Sequence, residues 1–395
     1  MRNESVAILD IRSSEVSFSL GAKGVNGTFV FSNSRTERYE GILKGSFLDL
    51  DSFRSAVTEA VNAVRKNYGG KLGEIFVGVP SSFIFLYTKG HTLSFPRKRK
   101  ISVQDVDALY ASGWDGTAVN SRCIRRSNMY FSLGDNRKYF AEKELYGTAT
   151  NSLKGGLCYY CVSEEFYQTV NAIMAELGFS SVRFIPSTLA QAVYLISEQK
   201  REGYAFLLDV GYLTSSLTVV YGNGIVREET FDFGVGSVLV ALMENFGVDF
   251  ATAEEILYAA NISGGSIPND FFWTNERGDL RFKVCLLNDV IKCALDGLCE
   301  QIDEFFAKYY KDKNVSGLSV NPISLTGEGI VYIKGMAEHI SKRISRLTEV
   351  VVPDLPYFDK PTFSSRIALL NMAIEDKQVQ SWWKRIFNGF GGKNK

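Results

Sequence analysis

The stretch Tyr204-Ala-Phe-Leu-Leu-Asp209-Val-Gly211-Tyr-Leu-Thr214-Ser-Ser-Leu-Thr-Val-Val-Tyr-Gly222 is the most informative in the chain. An apolar run ends in an aspartate, a glycine and hydroxyl residues form a turn, and a second apolar run leaves. Strand, polar turn and strand together predict a hairpin. The start of the chain repeats the design. Val6-Ala-Ile-Leu-Asp10 is followed by Ile11-Arg12-Ser13-Ser14, and Val16-Ser-Phe-Ser-Leu20 then alternates with period two. A single strand-end aspartate is also an ordinary turn cap. Two such hairpins half a chain apart imply two related halves facing each other across a cleft.

Further along, Phe233-Gly234-Val-Gly236-Ser237 leads into a helical run to Phe246, and Ala251 to Ala259 reads as another helix. Phe282 to Tyr310 is a long amphipathic pattern. Pro322-Ile-Ser-Leu-Thr-Gly327-Glu-Gly329 is a strand entering a glycine turn, with a helix from about 333 to 345. Strand–glycine–helix sets backbone N–H groups against a phosphate, although the same residues also make a plain turn. Before the second hairpin, helices are predicted over Leu50–Tyr68, Val103–Ser112, Glu164–Leu177 and Ser187–Glu198, with a buried strand over Glu74–Pro80. Between 81 and 156 the texture changes to short alternating stretches around the basic run Arg97–Lys100, which reads as a solvated loop of a small inserted α/β subdomain.

Composition narrows the function classes. The 395 residues carry 44 Lys plus Arg against 44 Asp plus Glu, so the whole-chain basic excess of a nucleic-acid binder is missing. No window approaches 18 consecutive apolar residues, and the N-terminus has no signal-peptide core. Six cysteines are expected as reduced thiols. Cys158 and Cys161 form a CxxC on a predicted strand, where positions three apart face opposite sides, which argues against a shared metal or dithiol. With His91 and His339 the only histidines, zinc sites and histidine triads have little to work with.

The order of these pieces resembles the actin-like ATPase superfamily. A hydroxyl-bearing phosphate hairpin, a DxGxxT hairpin and a strand–GxG–helix motif follow one another along the whole chain. The inserted segment and the C-terminal tail resemble the FtsA branch of bacterial division proteins. The resemblance implies an α/β, actin-like (RNase H-like) two-domain fold with a nucleotide cleft and an FtsA-type inserted subdomain. It divides the chain into 1–80, 81–156 (inserted) and 157–202 for the first domain. The second takes 203–246 and 320–374, with an outer subdomain at 247–319. A linker at 375–381 and a tail at 382–395 follow. It implies ATP with Mg²⁺ held by Asp10, Ser13, Ser14, Asp209, Gly211, Thr214, Gly234, Gly236, Glu254, Gly327 and Gly329, with Asp10 and Asp209 reaching the metal through water. No residue stands out as a base for hydrolysis, so at most weak ATPase activity is expected.

Departures from the family pattern fall in the same loops. Arg12 stands where the first phosphate loop usually has glycine, and Tyr212 and Leu213 replace small residues in the second. Leu257 stands where a helix of the pattern Ala-Glu-x-Ile-Lys ends in lysine. These weaken the implied nucleotide site. The implied partners are the FtsZ C-terminal tail, other copies of the chain in a protofilament, and an anionic membrane surface at the division site on the inner face of the cytoplasmic membrane; no nucleic acid is implied. The family's Arg-x-x-Glu pattern for the FtsZ tail reads Ala294 and Gly297 here, leaving Lys292 and Asp296 as substitutes. A PilM-like adaptor of a pilus or secretion machine, and a sugar or acetate kinase, are the alternatives on the same fold. The inserted subdomain is expected to pack on the first domain only.

The tail follows from helix geometry. At about 100° per residue, Trp382, Trp383, Ile386, Phe387 and Phe390 fall within about 140° of arc, with Lys384, Arg385 and Asn388 opposite. From Lys377 onward the charges are all basic, the composition of a helix lying on an anionic leaflet.

Overall fold

The computed structural model describes residues 5–24, 28–116, 120–135, 137–263, 272–310 and 321–390, with side chains to 379. In the first domain β1 (Val6–Ile11) turns through Arg12–Ser14 into β2 (Glu15–Lys23), and β3 (Phe29–Arg38) completes a meander. A two-residue-per-arm hairpin, β4 (Ile42–Leu43) and β5 (Ser46–Phe47), precedes α1 (Leu50–Lys66) and β6 (Glu74–Val79). Helix α1 starts where Asp49 accepts the backbone N–H groups of Asp51 and Ser52, and it buries Phe53, Ala56, Val57, Ala60, Val61 and Val64 along one stripe. Next come β7 (Ile84–Lys100), α2 (Val103–Gly113), β8 (Ser121–Ser132) and β9 (Ala149–Ser163). Helix α3 (Glu164–Glu176), β10 (Ser181–Pro186), α4 (Ser187–Leu195) and the single turn α5 (Glu198–Arg201) end this half.

The second half opens with β11 (Ala205–Val210), β12 (Ser215–Tyr221) and β13 (Gly224–Phe231). Helices α6 (Val235–Phe246) and α7 (Phe250–Ala259), the ribbon β14 (Phe272–Thr274) and β15 (Arg281–Lys283), and the long α8 (Val284–Tyr310) follow. Then come β16 (Ile323–Thr326), α9 (Gly329–Tyr332), α10 (Met336–Arg343), β17 (Thr348–Val350) and α11 (Ser364–Phe390).

The two hairpins are the centres of two five-stranded sheets with the same plan, ordered β10-β6-β1-β2-β3 and β17-β16-β11-β12-β13. In each, the aspartate-bearing strand pairs antiparallel with its hairpin partner and parallel with the next strand. Asp10 lies opposite Ser17 and Asp209 opposite Ser216, so the aspartates hold matching positions. Strand β1 is buried at all six positions, which is why it reads as a continuous apolar run.

Four expectations about domain organisation are corrected. The three-stranded sheet β7-β9-β8 with α2 over it is the inserted unit, but β9 runs unbroken through the expected boundary at 156 and leads directly into α3. That sheet also touches the second domain. The Ile225 backbone N–H donates to Tyr160 Oη (3.0 Å), Cys158 Sγ donates to the Ile225 carbonyl (3.3 Å), and the Asn223 N–H donates to the Asn128 carbonyl (3.1 Å). The tip of the β12–β13 hairpin is seated on the inserted sheet; a Cβ at Gly222, where φ is +59°, would sit 1.8 Å from the Met129 carbonyl oxygen.

Residues 364–374 belong to the first domain's packing, not the second's. Ala368, Leu369, Leu370 and Ala373 of α11 share an apolar cluster with Val6, Ile8, Phe76 and Leu189. Nor is there a linker, because α11 is helical without a break across 375–381. Two contacts hold that span. Arg125 makes a two-bond fork to Asp376 (2.7 and 3.0 Å), and Lys377 reaches Glu74 (3.8 Å). The side chains of 380–395, and with them the predicted anchor residues, lie outside the described residues.

Candidate functional site

Both hairpin turns and the glycine turn after β16 converge between the two sheets. Asp10, at the end of β1, is 1 % exposed, and Ser365 Oγ at the start of α11 donates to its Oδ1 (2.7 Å). Burial raises the Asp10 carboxyl above the usual carboxylate range, and Arg12 acts against that rise. Asp209, at the end of β11, accepts from Gln191 Nε2 at Oδ2 (2.9 Å), while its Oδ1 is buried with no partner. Gly327 has φ +97°, and a Cβ there would sit 2.2 Å from that Oδ1, so only glycine lets the β16 turn come this close.

The two turns touch directly. The Leu213 backbone N–H donates to Ser13 Oγ (3.0 Å), and a Cβ at Gly211 would lie 3.4 Å from the same oxygen. The Leu213 side chain reaches inward, to 2.4 Å from where a Gly41 Cβ would be. Arg12 reaches across the cleft. Its Nη1 donates to the Thr362 carbonyl (3.2 Å), and its Nη2 lies 3.8 Å from Glu328 Oε1, both side chains being about a tenth exposed. Glu328 sits between the two glycines of the third motif. Burial raises its carboxyl, again opposed by Arg12.

What remains between the turns is a cavity of about 50 Å³, lined among others by Arg12, Ser13, Ser187, Thr188, Asp209 and Thr214. Ser187 Oγ, Thr188 Oγ1 and Asp209 Oδ1 are buried there without partners. Such a volume holds one or two waters, whereas small-molecule sites run to about 300–1,000 Å³. As the residues stand, a nucleotide's phosphates with a metal ion do not fit between Asp10 and Asp209.

The remaining candidates divide into those at the cleft and those away from it. Gly211, Thr214 and Gly327 form the turns just described. The Ser14 carbonyl accepts the Tyr39 N–H (3.1 Å). Gly234 caps α6, where any Cβ would strike the Tyr212 carbonyl (2.3 Å), and the Gly236 N–H donates to that carbonyl (2.8 Å). Glu254 lies near Tyr212, whose phenol is raised by burial and then by that carboxylate. Leu257, at the family's lysine position, is 1 % exposed and packs into the second domain's core. Lys292 and Asp296 lie on α8 away from the cleft, and Asp296 is already held by His339 Nε2 (3.0 Å) and Arg343 Nε (3.5 Å) of α10. Among the described residues no cluster of metal-ligating side chains occurs, and all six cysteines are free.

Glu328, Thr362 and Ser365 take part in the site but were not picked out from sequence. Glu328 had a signal, since it lies between two candidate glycines. Thr362 and Ser365 had none, because what brings them to the cleft is the return of α11 to the first domain.

No protein-family model matches the chain, and no curated protein does. Solved structures do. The PilM–PilN type IV pilus biogenesis complex matches with TM-score 0.63 at 12% identity, covering 93% of this chain and 98% of that one. MreB5 of Spiroplasma citri bound to AMPPNP gives 0.54 at 10% identity, covering 98% and 100%. Ethanolamine utilization protein EutJ from Carboxydothermus hydrogenoformans gives 0.53 at 11%, covering 94% and 90%. The chain has the actin-like fold. The doubled sheet plan matches that fold's two domains, with the three turns converging in the cleft between them, and its solved members include forms with ADP and with AMPPNP. Among the described residues no single helix of this actin-like chain is long and apolar enough to cross a membrane; α6 and α7 qualify only together, with a 110° bend between them.

A second concavity lies away from the cleft. It measures about 630 Å³ and runs between β7 and β13, lined by residues including Ser81, Phe85, Tyr87, Val226, Glu228 and Thr230. Strands β7 and β13 are the outermost strands of their sheets, and Ser81 Oγ and Thr230 Oγ1 hydrogen-bond (2.9 Å) across the groove's floor between the two domains.

Proposed function

We propose that this chain is an adaptor on the actin-like fold, which holds an extended segment of a partner protein and turns over little or no nucleotide. The groove between β7 and β13 carries the proposal. Two sheet edges face it, and edges offer unpaired backbone groups that an added strand satisfies. Phe85 and Tyr87 line it while 50% and 37% exposed, apolar surface that a partner segment would cover. The likeness to PilM, solved together with PilN, supports a PilM-like role at a pilus or secretion machine.

Affinity capture from the source cells, with wild type and Phe85→Ser in parallel, tests this. The principal partner should be lost from the variant at unchanged melting temperature. If the variant retains it, the groove is not the docking site.

A second reading is a membrane-associated division scaffold that tethers FtsZ filaments and self-assembles. The two-faced pattern of Trp382–Phe390 favours it. On this reading the captured partner is FtsZ, and Lys292→Glu, not Phe85→Ser, releases it.

A further inference from the structure

We infer that Arg12 is the cleft's built-in cation: its guanidinium, paired with Glu328 across the cleft, supplies the positive charge that a nucleotide-bound metal would otherwise bring, so the two domains close without a nucleotide. The inference is independent of what docks in the groove.

Four observations carry it. First, Arg12 leaves the β1–β2 turn, where its own N–H donates to the Glu15 carbonyl (2.9 Å), and its side chain is 10% exposed. A guanidinium so placed requires anionic partners. Second, its partners lie on separate parts of the chain. Glu328 follows β16 in the second domain, and the Thr362 carbonyl precedes α11, so one side chain ties the first domain's turn to both. Third, Glu328, Asp209 and Asp10, in that order of strength, hold Arg12 in its charged form, and that attraction outweighs its burial. Two of the three, Asp10 and Asp209, are the carboxylates that the family resemblance assigns to a divalent ion. Fourth, the remaining volume is about 50 Å³, and the direct Leu213–Ser13 bond joins the turns that a phosphate would have to separate.

A glycine at position 12 would take from Glu328 its ion-pair partner and from Asp209 and Asp10 a nearby positive charge, and would open the space that the guanidinium fills. Such a site needs a cation from outside, and Mg²⁺ with a nucleotide phosphate supplies one.

The test is thermal melting and binding of a fluorescent ADP analogue, with and without millimolar Mg²⁺, on full-length wild type, Arg12→Gly and Arg12→Gln. Wild type should show no shift of its transition with Mg²⁺–ADP. Arg12→Gly should melt lower in buffer, be raised by Mg²⁺–ADP, and bind the analogue about tenfold or more tighter than wild type. Arg12→Gln is shorter and uncharged but keeps a side chain with an N–H donor at the turn, so it guards against outright loss of folding; it should bind more tightly than wild type and less tightly than Arg12→Gly. Wild type binding Mg²⁺–ADP as tightly as the variants would overturn the inference. So would a folded Arg12→Gln, or a folded Arg12→Gly, that gains no affinity.

Discussion

At the scale of single residues, buried carboxylates give the chain a pH dependence with a definite sign. Burial pushes Glu228 on β13 up to about 7 from 4.5, with the nearby Thr188 hydroxyl acting against that rise. The folded state therefore binds this proton more tightly than the unfolded chain. Stability is largest below the unfolded value and falls as pH rises towards 7. Glu228→Gln removes the penalty, so the variant should gain about 3 kcal/mol over wild type at pH 8 and almost nothing at pH 4. Urea unfolding at both pH values checks this; equal gains at the two would contradict it. Gly327 makes a separate prediction. With φ +97° and Asp209 Oδ1 in the path of a Cβ, Gly327→Ala should cost on the order of 2 kcal/mol or more, read from the same unfolding curves.

At the scale of elements, the inserted sheet and α11 are the two pieces whose placement matters most. Tyr160 on β9 is fully buried, and its hydroxyl accepts the Ile225 N–H across the domain boundary (3.0 Å). Tyr160→Phe leaves that N–H buried and unpaired, at a cost of about 1–3 kcal/mol. A cost near zero by thermal unfolding would mean that the inserted sheet does not bear on the second domain. Helix α11 predicts a sharp contrast between truncations. Ending the chain after Val379 should leave the melting transition in place, whereas ending it after Lys360 should abolish it, because Ala368, Leu369, Leu370 and Ala373 are core residues of the first domain. The hairpins at Asp10 and Asp209 were legible in the sequence because a buried strand and a hydroxyl-rich turn are local patterns. The run Glu375–Ser381 was not. Its polarity reads as a linker, and the contacts that keep it helical, Arg125 with Asp376 and Glu74 with Lys377, come from residues far away in sequence. The return of α11 to the first domain, and Ser365 with it, leaves no local pattern for the same reason.

At the scale of the whole molecule, the cleft and the groove lie on the same domain boundary. Ser81 lines both, and its bond to Thr230 spans the two halves. A cleft held shut by Arg12 therefore also fixes the separation of β7 and β13, which keeps the groove in one shape for an incoming strand. The actin-like plan was readable from the doubled aspartate hairpin, but the groove was not, since it arises from two sheet edges, β7 and β13, that share no pattern. The C-terminal pattern adds a membrane expectation. Because α11 is helical without a break from Ser364 to Phe390, an anchor at Trp382–Phe390 would join the body through continuous helix and not through a loose linker. Trp383→Glu should release the protein from anionic liposomes in sedimentation without changing its melting. The most direct test of the adaptor reading is hydrogen–deuterium exchange of the chain with and without its captured partner. The account predicts slowed exchange at 84–88 and 226–232, with α8 unchanged. Protection centred on α8 around Lys292 and Asp296, with the groove exchanging as before, would contradict it.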